Sequence, residues 1–91
     1  MSGMETEETL LKFPCEFSIK AMGLAAPDFD ATVVGIVRRH APDISEGGVR
    51  SRASKGGKYL SVTVTITATS KQQLDAIYQD LTDNERVLMS L

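Results

Sequence analysis

The fold of this chain is decided by residues 54–68, SKGGKYLSVTVTITA, where two glycines lead into a long run of alternating apolar and polar residues. Successive side chains of a β-strand point to opposite faces of the sheet, so the alternation predicts a strand with one buried face. The predicted core face carries Leu60, Val62, Val64, Ile66 and Ala68. The predicted open face carries Tyr59, Ser61, Thr63, Thr65 and Thr67.

The segment before this strand predicts the other arm of a hairpin. Gly56-Gly57 favours a tight turn, and a short strand is predicted at about residues 49–53. Arg50 and Arg52 alternate there with small or apolar residues. This pattern is typical of an edge strand that uses charge to discourage pairing with other molecules.

A further strand is predicted closer to the N-terminus, because apolar and polar residues alternate again over residues 14–22. Its core face carries Phe17, Ile19 and Ala21, and its open face carries Glu16, Ser18 and Lys20. The segment GLAAPD at residues 23–28 then interrupts the pattern, with a glycine for backbone freedom and Pro-Asp as a helix-entry signal.

The first predicted helix follows this connection and ends before Ala41-Pro42, because proline disfavours helical geometry in the residue before it. Its apolar stripe, at helical spacing, consists of Phe29, Val33, Ile36 and Val37. His40 lies at its end, where we expect the side chain to cap carbonyl groups and complement the helix dipole.

The second predicted helix begins at a capping box formed by Ser70 and Gln73 and closes at Asp83-Asn84. Its buried stripe consists of Leu74, Ile77, Tyr78 and Leu81. A short final strand is predicted at about residues 86–91.

The resulting order, strand-helix-strand-strand-helix-strand, predicts the α+β class with a ferredoxin-like two-layer sandwich. Its four-stranded antiparallel sheet carries both helices on one face, and the first and third strands are central neighbours. One domain is predicted over residues 13–91, preceded by a mostly flexible, acidic tail at residues 1–12.

The composition restricts the functional classes. The chain has 91 residues, a net charge of -2 and a pI near 5.3, which argues against binding to nucleic acid or anionic lipid. It has no apolar run of about 20 residues that could cross a bilayer and no secretory signal pattern, so we expect a soluble, cytoplasmic protein. The single cysteine, Cys15, is expected to be a half-buried hydrophobe without a disulfide partner.

No catalytic or metal-binding constellation is recognisable. An acylphosphatase of this fold would need an arginine in its phosphate loop, and residues 22–28 contain none. A metal chaperone would need Cys-x-x-Cys in that loop. An RNA-recognition module would carry several aromatic residues on the open face, where only Tyr59 is predicted. We therefore expect no catalytic residues, no cofactor and no metal, and predict that the protein is not an enzyme.

Several short motifs together resemble the YbeD family of small bacterial proteins, over roughly residues 10–91. They are Phe13-Pro14, Lys20-Ala21-Met22-Gly23, Arg39-His40-Ala41-Pro42, Ser54-Lys55-Gly56, and the strand from Tyr59 to Thr69. The hairpin turn is one residue longer here, at Gly57-Lys58. The resemblance implies an α/β sandwich similar to the ACT domains, which bind amino acids beside metabolic enzymes. It implies no activity.

The resemblance also points to a ligand site, because ACT-like domains bind small molecules at the first strand-to-helix connection. The candidate ligand-binding residues are Gly23, Ala25, Ala26 and Asp28. Gly23 would permit close backbone approach, and the helix N-terminus would attract an anion. The alternative is that Gly23 serves turn geometry alone.

Two further surfaces are candidates. The open sheet face is predicted to bind a protein partner or a second copy of the chain through Ser18, Lys20, Tyr59, Ser61, Thr63, Thr65 and Thr67. A basic rim for an anionic ligand is predicted at Arg50, Arg52, Lys55 and Lys58. Arg38 and Arg39 would join this rim if the end of the first helix approached the hairpin.

The sequence thus favours a non-enzymatic regulatory or adaptor module that binds a small metabolite, a metabolic-enzyme partner, or both. The alternative is a weak nucleic-acid-binding module that uses the basic second strand and hairpin.

Overall fold

The computed structural model describes residues 12–44 and 46–91. Its elements are strand β1 (Cys15–Leu24), helix α1 (Phe29–Arg38), strands β2 (Val49–Ala53) and β3 (Tyr59–Ala68), helix α2 (Lys71–Asp83) and strand β4 (Val87–Ser90), with a short 3-10 helix, Glu46–Gly48, before β2. The predicted βαββαβ order is confirmed. The flexible-tail prediction falls largely on residues 1–11, outside the described residues.

The sheet is antiparallel with the strand order β2-β3-β1-β4, so the ferredoxin-like fold is confirmed. β1 and β3 are central and pair along their whole length, from Cys15↔Ala68 to Leu24↔Tyr59. β2 and β4 form the two edges. This pairing fixes which side chains share a face, because residues directly opposite each other in antiparallel strands point the same way.

The core lies between one face of the sheet and the two helices. The alternating apolar residues of β1 and β3 supply the sheet side of this core, and the predicted helical stripes cover it. Its fully buried members include Ile19, Ala21, Val62, Val64, Phe29, Val33, Val37, Ile77 and Leu81. Cys15 is half-buried and packs against this core, as predicted.

The predicted connection between β1 and α1 is wrong at Gly23. β1 continues to Leu24, so Gly23 is a buried strand residue and not part of the loop. A Cβ atom at this position would lie 2.7 Å from the Phe29 ring and would collide with the backbone oxygen of Arg86. The glycine is therefore required for close packing of β1 against α1 and the segment before β4, and not for a turn.

The hairpin between β2 and β3 is confirmed. Gly56 and Gly57 have φ angles of 88° and 75°, a left-handed conformation that favours glycine. The Ser54 hydroxyl accepts a hydrogen bond of 3.0 Å from the Tyr59 N–H and closes the loop. The backbone N–H of Ala25 donates to the carbonyl of Lys58 at 2.9 Å, so the hairpin lies beside the start of α1.

The start of α2 contains the predicted N-cap, with one change. The Ser70 hydroxyl accepts from the Gln73 N–H at 3.1 Å. The Gln73 side chain accepts from the N–H of Thr69, at 2.8 Å, and not from Ser70 as in a capping box. Its amide nitrogen also donates to the carbonyl of His40 at 2.9 Å, so Gln73 joins the end of α1 to the start of α2.

His40 does not cap carbonyl groups with its side chain, contrary to the prediction. Its Nε2 lies 2.6 Å from Oδ2 of Asp80 on α2, and Nη1 of Arg39 lies 3.8 Å from the same oxygen. The segment after α1 therefore uses its basic side chains to contact the neighbouring helix. A carboxylate on α2 could not be assigned to His40 from sequence, because the two residues are 40 positions apart.

Candidate functional site: the open sheet face

One face of the sheet is covered by neither α1 nor α2. The register places the predicted partner surface on this face, because Ser18 lies opposite Thr65, Lys20 opposite Thr63, and Leu24 opposite Tyr59. Ser61 and Thr67 share the face through their pairing with Met22 and Glu16. The structure thus brings together all the side chains predicted for this surface.

The centre of the open face is a row of hydroxyl groups. Ser18 Oγ and Thr65 Oγ1 lie 3.0 Å apart and share a hydrogen bond across the two central strands. Ser61, Thr63 and Thr65 are half-buried, whereas Thr67 is exposed at the end of the row. Each hydroxyl can both donate and accept, so the row can bond to polar groups of either kind.

Three cations surround this row. Arg50 lies opposite Thr63 and Arg52 opposite Ser61 on the β2 side, and Lys20 lies opposite Thr63 on the β1 side. All three are exposed, and within residues 12–44 and 46–91 none of them takes part in an ion pair. Glu16, an acidic residue, lies on the same face and borders one depression together with Arg50. We call Lys20, Arg50 and Arg52 the basic triad.

Two shallow depressions lie beside the triad. One, of about 340 Å³, is bounded by Glu16, Ser18, Arg50 and Thr63 together with the 3-10 segment. The other, of about 290 Å³, is bounded by Met22, Arg52, Lys55, Tyr59 and Ser61. Both are open to solvent and polar in part, which suits contact with side chains of a larger molecule better than enclosure of a small one.

An apolar corner adjoins the basic triad, and the sequence analysis missed it. Met22 lies opposite Met89, and Leu91 exchanges backbone hydrogen bonds with Lys20, so both β4-side residues belong to the open face. The exposed fractions are 55% for Leu24, 59% for Leu88, 50% for Met89 and 65% for Leu91. The apolar corner consists of Met22, Leu24, Leu88, Met89 and Leu91. The apolar run at residues 87–89 is the sequence signal for this corner. It does not show that these residues lie beside Met22 and Leu24, because that depends on pairing between distant strands.

The predicted ligand loop is engaged internally. The Ala25 N–H is used by Lys58, and the Ala26 carbonyl accepts from the Phe29 N–H at 3.1 Å. Asp28 is the N-cap residue of α1, but its side chain makes no capping bond. Its carboxylate is held by Arg86, through contacts of 2.8 Å from Nη2 and 3.1 Å from Nη1. A carboxylate at this position disfavours an anionic ligand at the helix N-terminus.

The Asp28–Arg86 pair is a second feature that the sequence did not reveal. Arg86 Nη1 also donates to Thr32 Oγ1 at 3.1 Å, and its guanidinium carbon lies 5.9 Å from the centre of the Phe29 ring. The hydrogen bonds and positive charge of Arg86 hold the pKa of Asp28 below its usual value. Arg86 thus fixes the start of α1 to the segment before β4.

The four residues predicted for the basic rim divide between β2 and the hairpin, although Arg52 and Lys55 border the same depression. Arg50 and Arg52 lie on the open face, while Lys55 and Lys58 lie at the hairpin, where Lys58 Nζ is 5.4 Å from the centre of the Tyr59 ring. The hairpin adjoins the start of α1, and Arg38 and Arg39 are at its other end. The condition under which these two arginines would join the rim is therefore not met in the structure.

No group of three or more His, Cys, Asp or Glu side chains in residues 12–44 and 46–91 lies close enough to hold a metal ion. In the same ranges no helix combines the length and the apolar character needed to span a membrane.

Comparison with known proteins assigns the chain to a family. The model of a family described as a protein of unknown function, DUF493, matches residues 8–91. This chain belongs to the DUF493 family. It is 46% identical over 86 residues to UPF0250 protein NE1487 of Nitrosomonas europaea, covering 94% of this chain and 99% of that protein. The resemblance to YbeD, which is a UPF0250 protein, is thereby confirmed.

Other DUF493 relatives are similarly close. A UPF0250 protein of Chromobacterium violaceum is 46% identical over 87 residues, covering 96% of this chain and 98% of that protein. One from Neisseria gonorrhoeae is 38% identical over 91 residues and covers both chains fully, at 100%. The solution structure of protein HP0495 from H. pylori matches with a TM-score of 0.67 at 13% identity, over 89% of this chain and 85% of that one. This similarity supports the fold.

Proposed function

We propose that this DUF493 protein is a non-enzymatic adaptor or regulatory module that binds a protein partner on its open sheet face, and that the partner presents carboxylate side chains to the basic triad. The observation that carries the proposal is the position of Lys20, Arg50 and Arg52 on an uncovered sheet face without ion-pair partners among the described residues.

Acidic partners are favoured over basic ones because their carboxylates would meet cations that have no ion-pair partner within residues 12–44 and 46–91. Pairing with the triad breaks no existing ion pair of the described residues, so the cost is limited to desolvation and side-chain ordering. The two arginines offer planar forks that bind carboxylates through two parallel hydrogen bonds. The neighbouring hydroxyl row can bond to the remaining polar groups of the partner.

The apolar corner would supply the hydrophobic part of the interface. Burying a leucine or methionine side chain fully contributes about 1.5 to 3 kcal/mol, and Leu24, Met89 and Leu91 are each at least half exposed. An apolar patch beside charged and hydroxyl groups has the composition of an ordinary protein interface. A metabolic enzyme is the class of partner that the ACT-like resemblance implies.

Binding of a small metabolite at the loop before α1 has less support. The Ala25 N–H and the Asp28 carboxylate already have partners within the protein. The Phe29 ring lies directly against Gly23, so no ligand atom fits at that α-carbon. The depression of about 410 Å³ beside Leu24 and Ala26 is open to solvent. The regulatory role is therefore proposed through protein contact.

Nucleic acid is the competing occupant of the same surface, because the basic triad would also attract phosphates. Single-stranded nucleic acid binding usually relies on several aromatic side chains for base stacking. The open face offers Tyr59, which Lys58 already covers in part. These observations favour a protein partner over nucleic acid.

The test is a titration of isotope-labelled full-length protein, followed by NMR, with poly-L-glutamate and separately with a single-stranded DNA oligonucleotide. We expect saturable shifts at Arg50, Arg52 and Thr63 with poly-L-glutamate, weakening as salt rises. Arg50→Glu with Arg52→Glu should weaken binding at least about tenfold. This charge reversal keeps the β2 edge charged, so it does not invite aggregation.

The matched control is Lys12→Glu with Arg38→Glu, which changes the net charge equally but alters exposed residues outside the triad. Binding by the control should match that of the unaltered protein. Equal loss in both variants would indicate nonspecific attraction and contradict the proposal. Shifts with DNA alone would replace it with the nucleic-acid alternative.

A further inference from the structure

The two edges of the sheet are protected very differently. Edge strand β2 carries Arg50 and Arg52, whose charges oppose pairing with another strand. Edge strand β4 has the sequence Val-Leu-Met-Ser, without a charge or a proline. Leu88 and Met89 on this strand are 59% and 50% exposed. An uncharged edge with exposed apolar side chains is a template for pairing with another strand.

The backbone of β4 offers bonding groups on its outer side. Lys20 and Leu91 exchange two backbone hydrogen bonds, of 3.0 and 2.8 Å, across β1 and β4. Ser90 is the next residue and lies opposite Ala21. Bonded and non-bonded pairs alternate along antiparallel strands, so the N–H and C=O of Ser90 point away from β1. They face outward, where a further strand would lie.

We propose that two copies of the chain pair through β4 in antiparallel orientation, with Ser90 on the two-fold axis. Each Ser90 would donate its N–H to the carbonyl of the other Ser90, which satisfies the outward groups of both copies. Met89 of one copy would then lie opposite Leu91 of the other, twice in the interface. Both side chains are on the open face, so each would pack against its partner across the two paired β4 strands. We call this line of contact between the two copies the seam.

Charge favours a second copy at β4 and disfavours one at β2. Self-pairing through β2 would bring arginines of one copy against arginines of the other, which is destabilising. β4 contains no charged residue, so its self-pairing sets no like charges directly opposite. The two-fold arrangement is self-complementary, as most homodimer interfaces are.

The seam is short, and its small area limits the affinity of the dimer. A stable interface buries about 800 Å² on each partner, through roughly 20 to 30 residues a side. A four-residue strand and its few exposed side chains provide much less. The dimer should therefore be weak, with a dissociation constant on the order of 0.1 mM. It would join two sheets side by side, with both basic triads on the same face.

The test is sedimentation equilibrium of the full-length protein from about 10 µM to 1 mM, with hydrogen exchange of the Ser90 amide measured by NMR over the same range. We expect a reversible monomer-dimer equilibrium, with Ser90 exchange slowing at least about threefold as concentration rises. Met89→Lys with Leu91→Lys should give a monomer throughout, because the seam would then oppose like charges. Ser90→Pro, which removes the outward donor, should also give a monomer.

The comparison variant is Leu24→Lys, which changes an equally exposed residue of the apolar corner that lies on β1 and not on β4. It should dimerise like the unaltered protein. A monomer at 1 mM in the unaltered protein would overturn the proposal. So would dimers that persist in both seam variants, or dimers abolished by Leu24→Lys, which would indicate stacking of open faces. None of these results depends on the acidic partner.

Discussion

Gly23 shows how a single residue position can determine whether two elements pack. Its missing side chain lets β1 approach Phe29 and the backbone of Arg86 closely. Gly23→Ala should lower the free energy of unfolding by about 1 to 3 kcal/mol, because a core atom is added where there is no space. Denaturant titration followed by circular dichroism measures this change.

Gly35 provides the matched control for that substitution. It lies on α1 and is exposed, and a Cβ there would meet nothing within 4 Å. Gly35→Ala should therefore stabilise the protein by about 0.5 to 1 kcal/mol through helix propensity. Equal effects at the two positions would contradict the packing role of Gly23.

Asp28 and Arg86 give a prediction about pH. The hydrogen bonds and charge of Arg86 lower the pKa of Asp28 below its ordinary value of 3.8. A carboxyl group with a lowered pKa stabilises the folded state above its unfolded pKa, and that contribution is lost as pH falls through the folded pKa. NMR titration of the Asp28 carboxyl should give a pKa below 3.8 that rises toward that value in Arg86→Gln. An unchanged pKa in the variant would show that Arg86 does not act on Asp28.

Some residue roles could be predicted from sequence and others could not. Gly56, Gly57 and Ser70 act within a few residues of themselves, so their turn and cap chemistry is visible in the local sequence. The pair of Asp28 and Arg86 spans 58 positions, and no local pattern indicates it. The sequence marks Gly23 as a position of special backbone geometry, but its packing against Phe29 depends on a ring that local sequence does not place there.

At the scale of elements, Ser70 stabilises the start of α2 as its N-cap. Its hydroxyl accepts the Gln73 N–H, one of the amide groups that a helix leaves free at its beginning. Ser70→Ala should cost about 1 kcal/mol of unfolding free energy, whereas Ser70→Asp should keep most of the stability because aspartate is also a good N-cap. Thermal unfolding of both variants measures these changes in stability. A harmless alanine at this position would mean that the Gln73 contacts alone start the helix.

Strand boundaries were predicted less well than strand faces. The alternation of β1 and β3 gave the correct core residues because it directly reflects side-chain direction in a strand. The end of β1 was placed two residues early, at Met22, because Gly23 interrupts the pattern. β4 is too short to show alternation, so its register opposite Met22 could not be predicted.

At the scale of the whole molecule, the fold followed from the order of elements, and the open face followed from the fold. The alternation of β1 and β3 alone predicts that Ser18, Lys20 and the hydroxyl row share one face. It did not join Arg50 and Arg52 to that row, because the register between β2 and β3 decides which face they share. It also missed the apolar corner, which residues from β1 and the C-terminal segment form together.

We propose that the open sheet face binds a protein partner through the basic triad. The most direct measurement compares three tagged proteins in affinity capture from cells of the native source, namely the unaltered chain, the variant with Arg50→Glu and Arg52→Glu, and the control with Lys12→Glu and Arg38→Glu. Each captured protein is then purified and titrated into isotope-labelled chain by NMR. We expect a partner that is retained by the unaltered chain and the control and lost from the triad variant, with shifts on β2 and β3 of the open face. A partner that survives the triad variant, or shifts confined to α1, α2 or residues 25–28, would contradict it.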